Sequence, residues 1–196
     1  MKWQLMTAAL AVATPLAANA APETYVIDPI HSFAYFAIDH FGVSTIRGRV
    51  HTAGGKFTLD TAAKAGTLEV AFDTASVDTG DKERGSRPRT RDEHLRSADF
   101  FNVAEFPQMT YKATAVKFNG DAPAEVEGQL TLLGVTKPVT LKIDRWTCKS
   151  HPMRKVPMCG GDASTSIKRT DFGMKYGVPA IGDEVKISIN VEAYKQ

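Results

Sequence analysis

The sequence predicts an all-β fold, and three observations support this prediction. From Tyr25 onward, apolar and polar residues alternate with a period of two. Turn residues interrupt the alternation about every ten residues, which is typical of antiparallel sandwiches and barrels. Only one segment, near residue 90, departs from this rhythm toward a helix. The periodicity leaves two architectures open, a sandwich with a filled core and a closed barrel of about eight strands.

The alternation also places the strands and their faces. Every second residue from Val185 to Val191 is Val or Ile, and the residues between them are polar. One face of each strand is therefore expected to be dry and the other wet. Residues 134–138, Gly-Val-Thr-Lys-Pro, have the composition of a hairpin turn. The expected strands are Phe33–Asp39, Ile46–Thr52, Gly55–Leu59, Thr67–Asp78, Met109–Phe118, Leu130–Leu133, Val139–Ile143, Ser164–Arg169 and Glu184–Tyr194.

A short helix is predicted at about residues 90–97. Thr90 and Glu93 have the spacing of a capping box, in which each side chain accepts a hydrogen bond from the other residue's backbone N–H. The segment carries Leu95, Phe100 and Phe101 as large apolar side chains. We therefore expect a lid or plug near the rim of the β-structure.

Residues 1–20 have the pattern of a cleavable export signal. Lys2 is their single charged residue, an apolar stretch runs from Leu5 to Ala18, and Ala18-Asn19-Ala20 is a small-x-small cleavage site. Later segments fall short of the ~20 apolar residues that a membrane span needs. Residues 21–196 are therefore expected to form one soluble, exported domain.

The two cysteines, Cys148 and Cys159, are predicted to form a disulfide. They are eleven positions apart, and export places them in an oxidising compartment where thiols tend to pair. A zinc site is the weaker alternative, because His151 alone does not complete a ligand set.

A search for chemistry finds no catalytic motif. The five histidines are scattered, and the sequence contains no H-E-x-x-H helix, nucleophile elbow or phosphate-binding glycine loop. We therefore predict neither catalytic residues nor a metal site. The 24 Lys and Arg nearly balance the 22 Asp and Glu, which argues against nucleic acid as a partner.

The loop Lys82–Arg91 carries five cations and one acid. Such a loop is usually solvated. The alternative is that it attracts an anionic lipid head group or makes transient contact with an anionic membrane surface, at ~1 kcal/mol per cation near that surface.

Nine short motifs occur in register along the chain. They are residues 25–32 (YVIDPIHS), 40–44 (HFGVS), 76–80 (SVDTG), 91–97 (RDEHLRS), 99–101 (DFF), 106–107 (FP), 128–131 (GQLT), 134–139 (GVTKPV) and 169–173 (RTDFG). Together they resemble the YceI-like polyisoprenoid-binding family. The resemblance implies an extended eight-stranded antiparallel lipocalin-like barrel, located in the periplasm and often a homodimer. It also implies a long isoprenoid lipid, or an isoprenoid quinone, in a central tunnel. The basic loop and the cysteine pair depart from the common pattern.

If the barrel is hollow, strand phase predicts which residues contact the lipid. The predicted tunnel residues are Phe36, Ile38, Val70, Phe72, Met109, Tyr111, Leu130, Leu132, Val139, Leu141, Ile187 and Ile189, closed by Leu95, Phe100 and Phe101. Polar head-group contacts are expected from His40, Arg84, Arg87, Arg89 and His94. Three functions remain open: a lipid carrier without catalysis, an enzyme acting on such a lipid, and a structural or interaction module with a filled core.

Overall fold

Nine strands and two short helical segments make up residues 21–196, the part of the chain that the computed structural model describes. The predicted export signal, residues 1–20, lies outside the described residues. The helical segments are α1 (Arg91–Arg96) and a 3₁₀ turn (Arg169–Phe172). Within residues 21–196, no helix is long and apolar enough to cross a bilayer. The strands are β1 (Glu23–Ile27), β2 (Phe33–His40), β3 (Ser44–Asp60), β4 (Ala65–Asp78), β5 (Gln108–Asn119), β6 (Ala122–Leu132), β7 (Val135–Ser150), β8 (Pro157–Lys168) and β9 (Ile181–Lys195).

The strands close into an antiparallel barrel, which confirms the predicted fold class. The order β3-β2-β9-β8-β7-β6-β5-β4 returns to β3 through the β3–β4 pairing. Strand β1 also pairs with β3 and β9, so β1 and β2 share one position in the wall. The extra strand therefore extends the eight-stranded barrel rather than adding a second layer.

Two of the expected strands are one strand in the structure. The segments Ile46–Thr52 and Gly55–Leu59 both belong to β3, and the pairing with β4 shifts register between Thr52 and Gly54. Gly54 has a φ of 145°, a conformation that glycine adopts without strain. The strand therefore passes through a bulge where the sequence suggested a break.

The predicted hairpin around residues 134–138 is confirmed, but its turn is shorter than the five residues expected. Strand β6 pairs Leu132 with Val135, so the turn consists of Leu133 and Gly134 only, with φ of 51° and 71°. Two positive φ values are typical of the type I′ hairpin turn, whose twist matches that of the strands. Pro138 then lies inside β7, before the β7–β8 pairing begins at Lys142.

Helix α1 covers one end of the barrel, as expected. Thr90 Oγ1 accepts from the Glu93 N–H at 3.1 Å, and the Glu93 carboxylate accepts from the Thr90 N–H at 2.7 Å, which completes the capping box. The buried Asp92 accepts hydrogen bonds from the Thr79 N–H at 3.0 Å and hydroxyl at 2.6 Å. The helix is thus fixed to the end of β4.

We call the end that carries α1 the helix end. The β2–β3 turn, the β6–β7 turn and residues 173–180 lie there too, because the strands are antiparallel. The opposite end carries the β3–β4, β5–β6 and β7–β8 turns. Near it, the predicted disulfide is confirmed: Cys148 faces Cys159 across β7 and β8, with their sulfurs joined at 1.99 Å.

Candidate functional site

The barrel encloses an elongated cavity of about 360 Å³, within the range of small-molecule binding sites. Along β9, residues from Ile181 to Val191 line it. These ten steps span about 33 Å of strand at about 3.3 Å per residue. Because barrel strands tilt by roughly 40°, the cavity is about 25 Å long along the barrel axis.

The wall of this cavity is largely apolar. All fifteen predicted apolar residues line it: Phe36, Ile38, Val70, Phe72, Leu95, Phe100, Phe101, Met109, Tyr111, Leu130, Leu132, Val139, Leu141, Ile187 and Ile189. The alternative of a solidly filled core is therefore wrong. That these residues contact a ligand stays a prediction.

Tyr111 carries a buried polar group in the middle of the wall. Its hydroxyl lies 2.8 Å from the Val126 carbonyl oxygen and 2.9 Å from that of Val139. The ring crosses β6 at Gly128, where there is no room for a β-carbon. Burial raises the pKa of Tyr111, and its hydroxyl proton is shared between these two backbone carbonyl oxygens.

Four polar side chains line the cavity at the helix end: His40, Arg91, His94 and Arg169. The Arg169 guanidinium already donates to three backbone carbonyl oxygens. His94 Nε2 lies 2.8 Å from an Asp99 carboxylate oxygen. The hydrogen bonds from His94 and then Arg89 lower the pKa of Asp99. With His94 Nε2 occupied by Asp99, it is the Arg91 guanidinium that can present N–H donors to a polar group at this end of the cavity.

Sequence reasoning missed Arg91 as a cavity residue, because its place in the capped helix suggested a purely structural role. Its Nη1 donates to Thr79 Oγ1 at 3.3 Å. Among residues 21–196, no carboxylate oxygen lies within 4.0 Å of its guanidinium, which distinguishes it from the other arginines of the loop.

The structure places Arg84, Arg87 and Arg89 away from the cavity wall. Each forms an ion pair with a carboxylate instead: Arg84 with Glu93 at 2.8 Å, Arg87 with Asp81 at 2.7 Å and Arg89 with Asp99 at 3.0 Å. The Arg87 hydrogen bonds lower the pKa of Asp81 to about 2. The structure therefore does not support these three arginines as head-group contacts, although their charge suggested that role.

Aromatic rings cluster in the barrel wall toward the opposite end. The Tyr25 and Phe57 rings stack at 5.1 Å, and the Trp146 ring meets Phe57 edge-on at 5.4 Å. Phe57 and Trp146 line the cavity, but neither is among the predicted tunnel residues. Trp146 lies outside the expected strands, whereas Phe57 lies inside the expected strand Gly55–Leu59 and was overlooked. The buried Cys159 packs in the same cluster.

The described residues offer no evident metal centre. Within residues 21–196, no group of three or more His, Cys, Asp and Glu side chains is placed to hold a metal ion.

Comparison with known proteins places this barrel among similar folds. Residues 25–193 match the sequence model of the YceI-like domain. A UPF0312 protein of Pseudomonas paraeruginosa is 38% identical over 199 residues and is matched over the full length of both chains. The protein YceI of Escherichia coli O17:K52:H18 is 38% identical over 190 residues, which cover 92% of this chain and 91% of that protein.

Two solved structures share the architecture. BcnA of Burkholderia cenocepacia has a TM-score of 0.64 and 22% identity, covering 85% of this chain and 98% of its own. A polyisoprenoid binding domain from Saccharophagus degradans has a TM-score of 0.60 and 17% identity, covering 88% and 98%. At these identities the two structures support the fold alone.

Proposed function

Since this chain belongs to the YceI-like family and its barrel encloses a long apolar cavity, we propose that it binds a long-chain isoprenoid lipid along the barrel axis. A polyisoprenoid or an isoprenoid quinone has the required shape. The protein would act as a periplasmic carrier, store or sequestering protein, without catalysis. The observation that carries the proposal is the unfilled interior, and the polyisoprenoid binding domain from Saccharophagus degradans with the same fold supports it.

Burial alone can hold such a ligand. Each chain carbon withdrawn from water contributes ~0.8 kcal/mol. About ten carbons therefore contribute roughly 8 kcal/mol, which corresponds to micromolar affinity before the ordering of the chain is subtracted. The tail needs no hydrogen bonds, which fits a wall made almost entirely of hydrocarbon side chains.

The two ends of the cavity suggest an orientation. The opposite end is lined mainly by aromatic and aliphatic side chains such as Phe57 and Trp146, whereas His40, Arg91 and His94 line the helix end. A polar head group would therefore lie at the helix end and the tail would point toward Trp146. The Arg91 guanidinium, which has no carboxylate partner among the described residues, would donate to oxygen atoms of the head group.

Organic extraction of the purified protein followed by mass spectrometry tests the proposal. We expect a long-chain isoprenoid in near-stoichiometric amount. The Ile189→Glu variant, with a charge on the cavity wall, should lose it because a tail in the cavity would strip the carboxylate of water without giving it a partner. Ser188→Glu is the matched control, since its side chain lies on the outer face of the same strand. Circular dichroism of both variants checks the fold, and Phe72→Glu repeats the test on β4.

Two results would contradict the proposal. The first is wild-type protein that yields no lipid and does not take up added geranylgeraniol. The second is a folded Ile189→Glu protein that retains as much lipid as Ser188→Glu.

The orientation has its own experiment. Arg91→Gln should weaken the binding of geranylgeranyl phosphate by roughly tenfold, because a charge-assisted hydrogen bond contributes about 1.5–3 kcal/mol. Binding of geranylgeraniol, which has no phosphate, should change little. Equal losses for both ligands would place the head group elsewhere.

A further inference from the structure

Four large apolar residues are exposed at the helix end. Phe41 is 59% exposed and Val43 is 86% exposed, both in the β2–β3 turn, and Tyr176 and Val178 are 46% and 38% exposed in residues 173–180. The Phe41 N–H donates to the Ala180 carbonyl at 2.8 Å, so the two segments lie side by side. We call these four residues the apolar lip.

The apolar lip is continuous with the cavity. The Phe41 ring lies 4.0 Å from the ring of His40, and the Tyr176 ring lies 4.9 Å from His94 and 5.3 Å from Phe100. His40, His94 and Phe100 all line the cavity. Ring-to-ring contacts therefore connect the outer surface with the interior at two places around the helix end.

The β2–β3 turn holds its apolar residues outward in a fixed shape. Gly42 N–H donates to Asp39 Oδ2 at 2.8 Å, and Val43 N–H donates to the His40 carbonyl at 3.1 Å. Phe41 has a φ of 61°, which is unfavourable for a bulky residue and persists only where the surroundings impose it. A constrained turn that exposes Phe and Val is typical of a surface that binds a partner or a membrane.

Charged groups beside the apolar lip fit a bilayer surface. Arg47 on β3 and Lys175 beside Tyr176 are exposed, and within residues 21–196 neither has a carboxylate within 4.0 Å. Asp39, the acid on β2 next to the turn, already accepts a hydrogen bond from the Gly42 N–H. Exposed aromatic residues flanked by free cations are typical of segments that lie in the membrane interface.

We propose that the apolar lip docks on a lipid bilayer, so that a lipid passes between the membrane and the cavity without crossing water. This inference rests on the proposed function. It also places the membrane contact on the β2–β3 turn and residues 173–180 rather than on the basic loop, where Arg84, Arg87 and Arg89 are paired with acids.

Vesicle flotation with purified protein tests the docking. The probes are vesicles of phosphatidylcholine alone and of phosphatidylcholine with phosphatidylglycerol. The lip variant combines Phe41→Asn, chosen because Asn tolerates positive φ, with Val43→Ser. The matched control combines Ile30→Ser, on the barrel flank, with Met153→Ser, at the opposite end, since these residues are 73% and 83% exposed.

The wild type should float with both vesicles. The lip variant should show a roughly tenfold or greater fall in its partition coefficient, because it loses the apolar area that would enter the interface. The partition coefficient of the control should stay within about twofold of the wild-type value, because the apolar area it loses lies outside the docking surface. Equal flotation of lip variant and wild type, or equal losses in lip variant and control, would overturn the proposal.

The apolar lip could instead be covered by a second copy of this chain. Sedimentation velocity of the same samples tests this alternative. A wild type that ignores vesicles and forms a dimer that the lip variant dissociates would also overturn the proposal. Lipid extraction keeps the two inferences distinct. A lip variant that still contains lipid but no longer floats supports the docking, whereas wild-type protein that floats but yields no lipid contradicts the proposed function only.

Discussion

Replacing Ala163 by Phe should close the cavity while strengthening the protein. Ala163 lies on β8, is 9% exposed and lines the cavity between Ile143 and Ile189. The new ring would take the space of roughly three to six ligand carbons, each contributing about 0.8 kcal/mol. Affinity for geranylgeraniol should therefore fall by about 2–5 kcal/mol, which is roughly 30- to 4,000-fold.

The same ring buries apolar surface in a space that is otherwise empty. Filling a cavity commonly adds about 0.5–2 kcal/mol of stability. Affinity and stability should thus move in opposite directions, which distinguishes this variant from one that merely damages the fold. Ala37→Phe, whose side chain points away from Phe36 and Ile38 on β2, should leave affinity unchanged.

Urea unfolding of delipidated protein and titration with geranylgeraniol provide the two readouts. Unchanged affinity of Ala163→Phe would refute the reasoning that the ligand passes through the middle of the barrel. A loss of stability would refute the reasoning that the space beside Ala163 can accept a ring.

Three further predictions concern stability. Tyr111→Phe removes the hydroxyl that bonds two backbone carbonyls and should lower the free energy of unfolding by about 1 kcal/mol in urea. The hydrogen bonds from Arg87 lower the pKa of Asp81 from 3.8 to about 2. The Asp81 carboxylate therefore stabilises the fold at pH values above the unfolded-state pKa, and this stabilisation is lost as the pH falls toward about 2. The midpoint temperature of thermal unfolding of Asp81→Asn should therefore lie below that of the wild type near neutral pH, and the two should converge in acid. A difference in midpoint that stays constant across the pH range would contradict this. Replacing Cys148 and Cys159 by Ser should lower unfolding free energy by about 2–3 kcal/mol in urea, and an unchanged midpoint would argue against a stabilising disulfide.

Strand phase predicted the cavity wall because inward residues alternate with outward ones in any antiparallel sheet. A sandwich and a barrel have the same strand phase, so the phase could not show whether the sheet closes into a barrel. Closure depends on the pairing of β3 with β4 after a full circuit of the wall. That long-range pairing leaves no local signal, and the family resemblance supplied it instead.

The helix end was harder to predict because its chemistry is set by neighbours. A count along Lys82–Arg91 finds one acid, Glu83, but the partners of its arginines come from the flanking segments. The arginine that reaches the cavity is Arg91, the first residue of α1. Composition cannot distinguish a paired cation from a free one.

Pro138 illustrates a different error. Glycine followed by proline suggested a long turn, because proline removes a hydrogen-bond donor that a central strand needs. In the structure Pro138 pairs with Gln129 on β6, and β8 joins β7 only from Lys142 onward. The proline therefore lies where the wall has one neighbour rather than two, and a strand tolerates it there.

What keeps the barrel hollow is the way its aromatic rings lie. An eight-stranded barrel is just wide enough for its own side chains to fill it. Here two inward positions are glycines, and a neighbouring ring occupies the space of each missing side chain: Phe36 over Gly48 and Tyr111 over Gly128. The bonds from the Tyr111 hydroxyl to β6 and β7 hold its ring along the wall. Rings that could have met at the axis thus become part of the lining, and the centre of the barrel stays open.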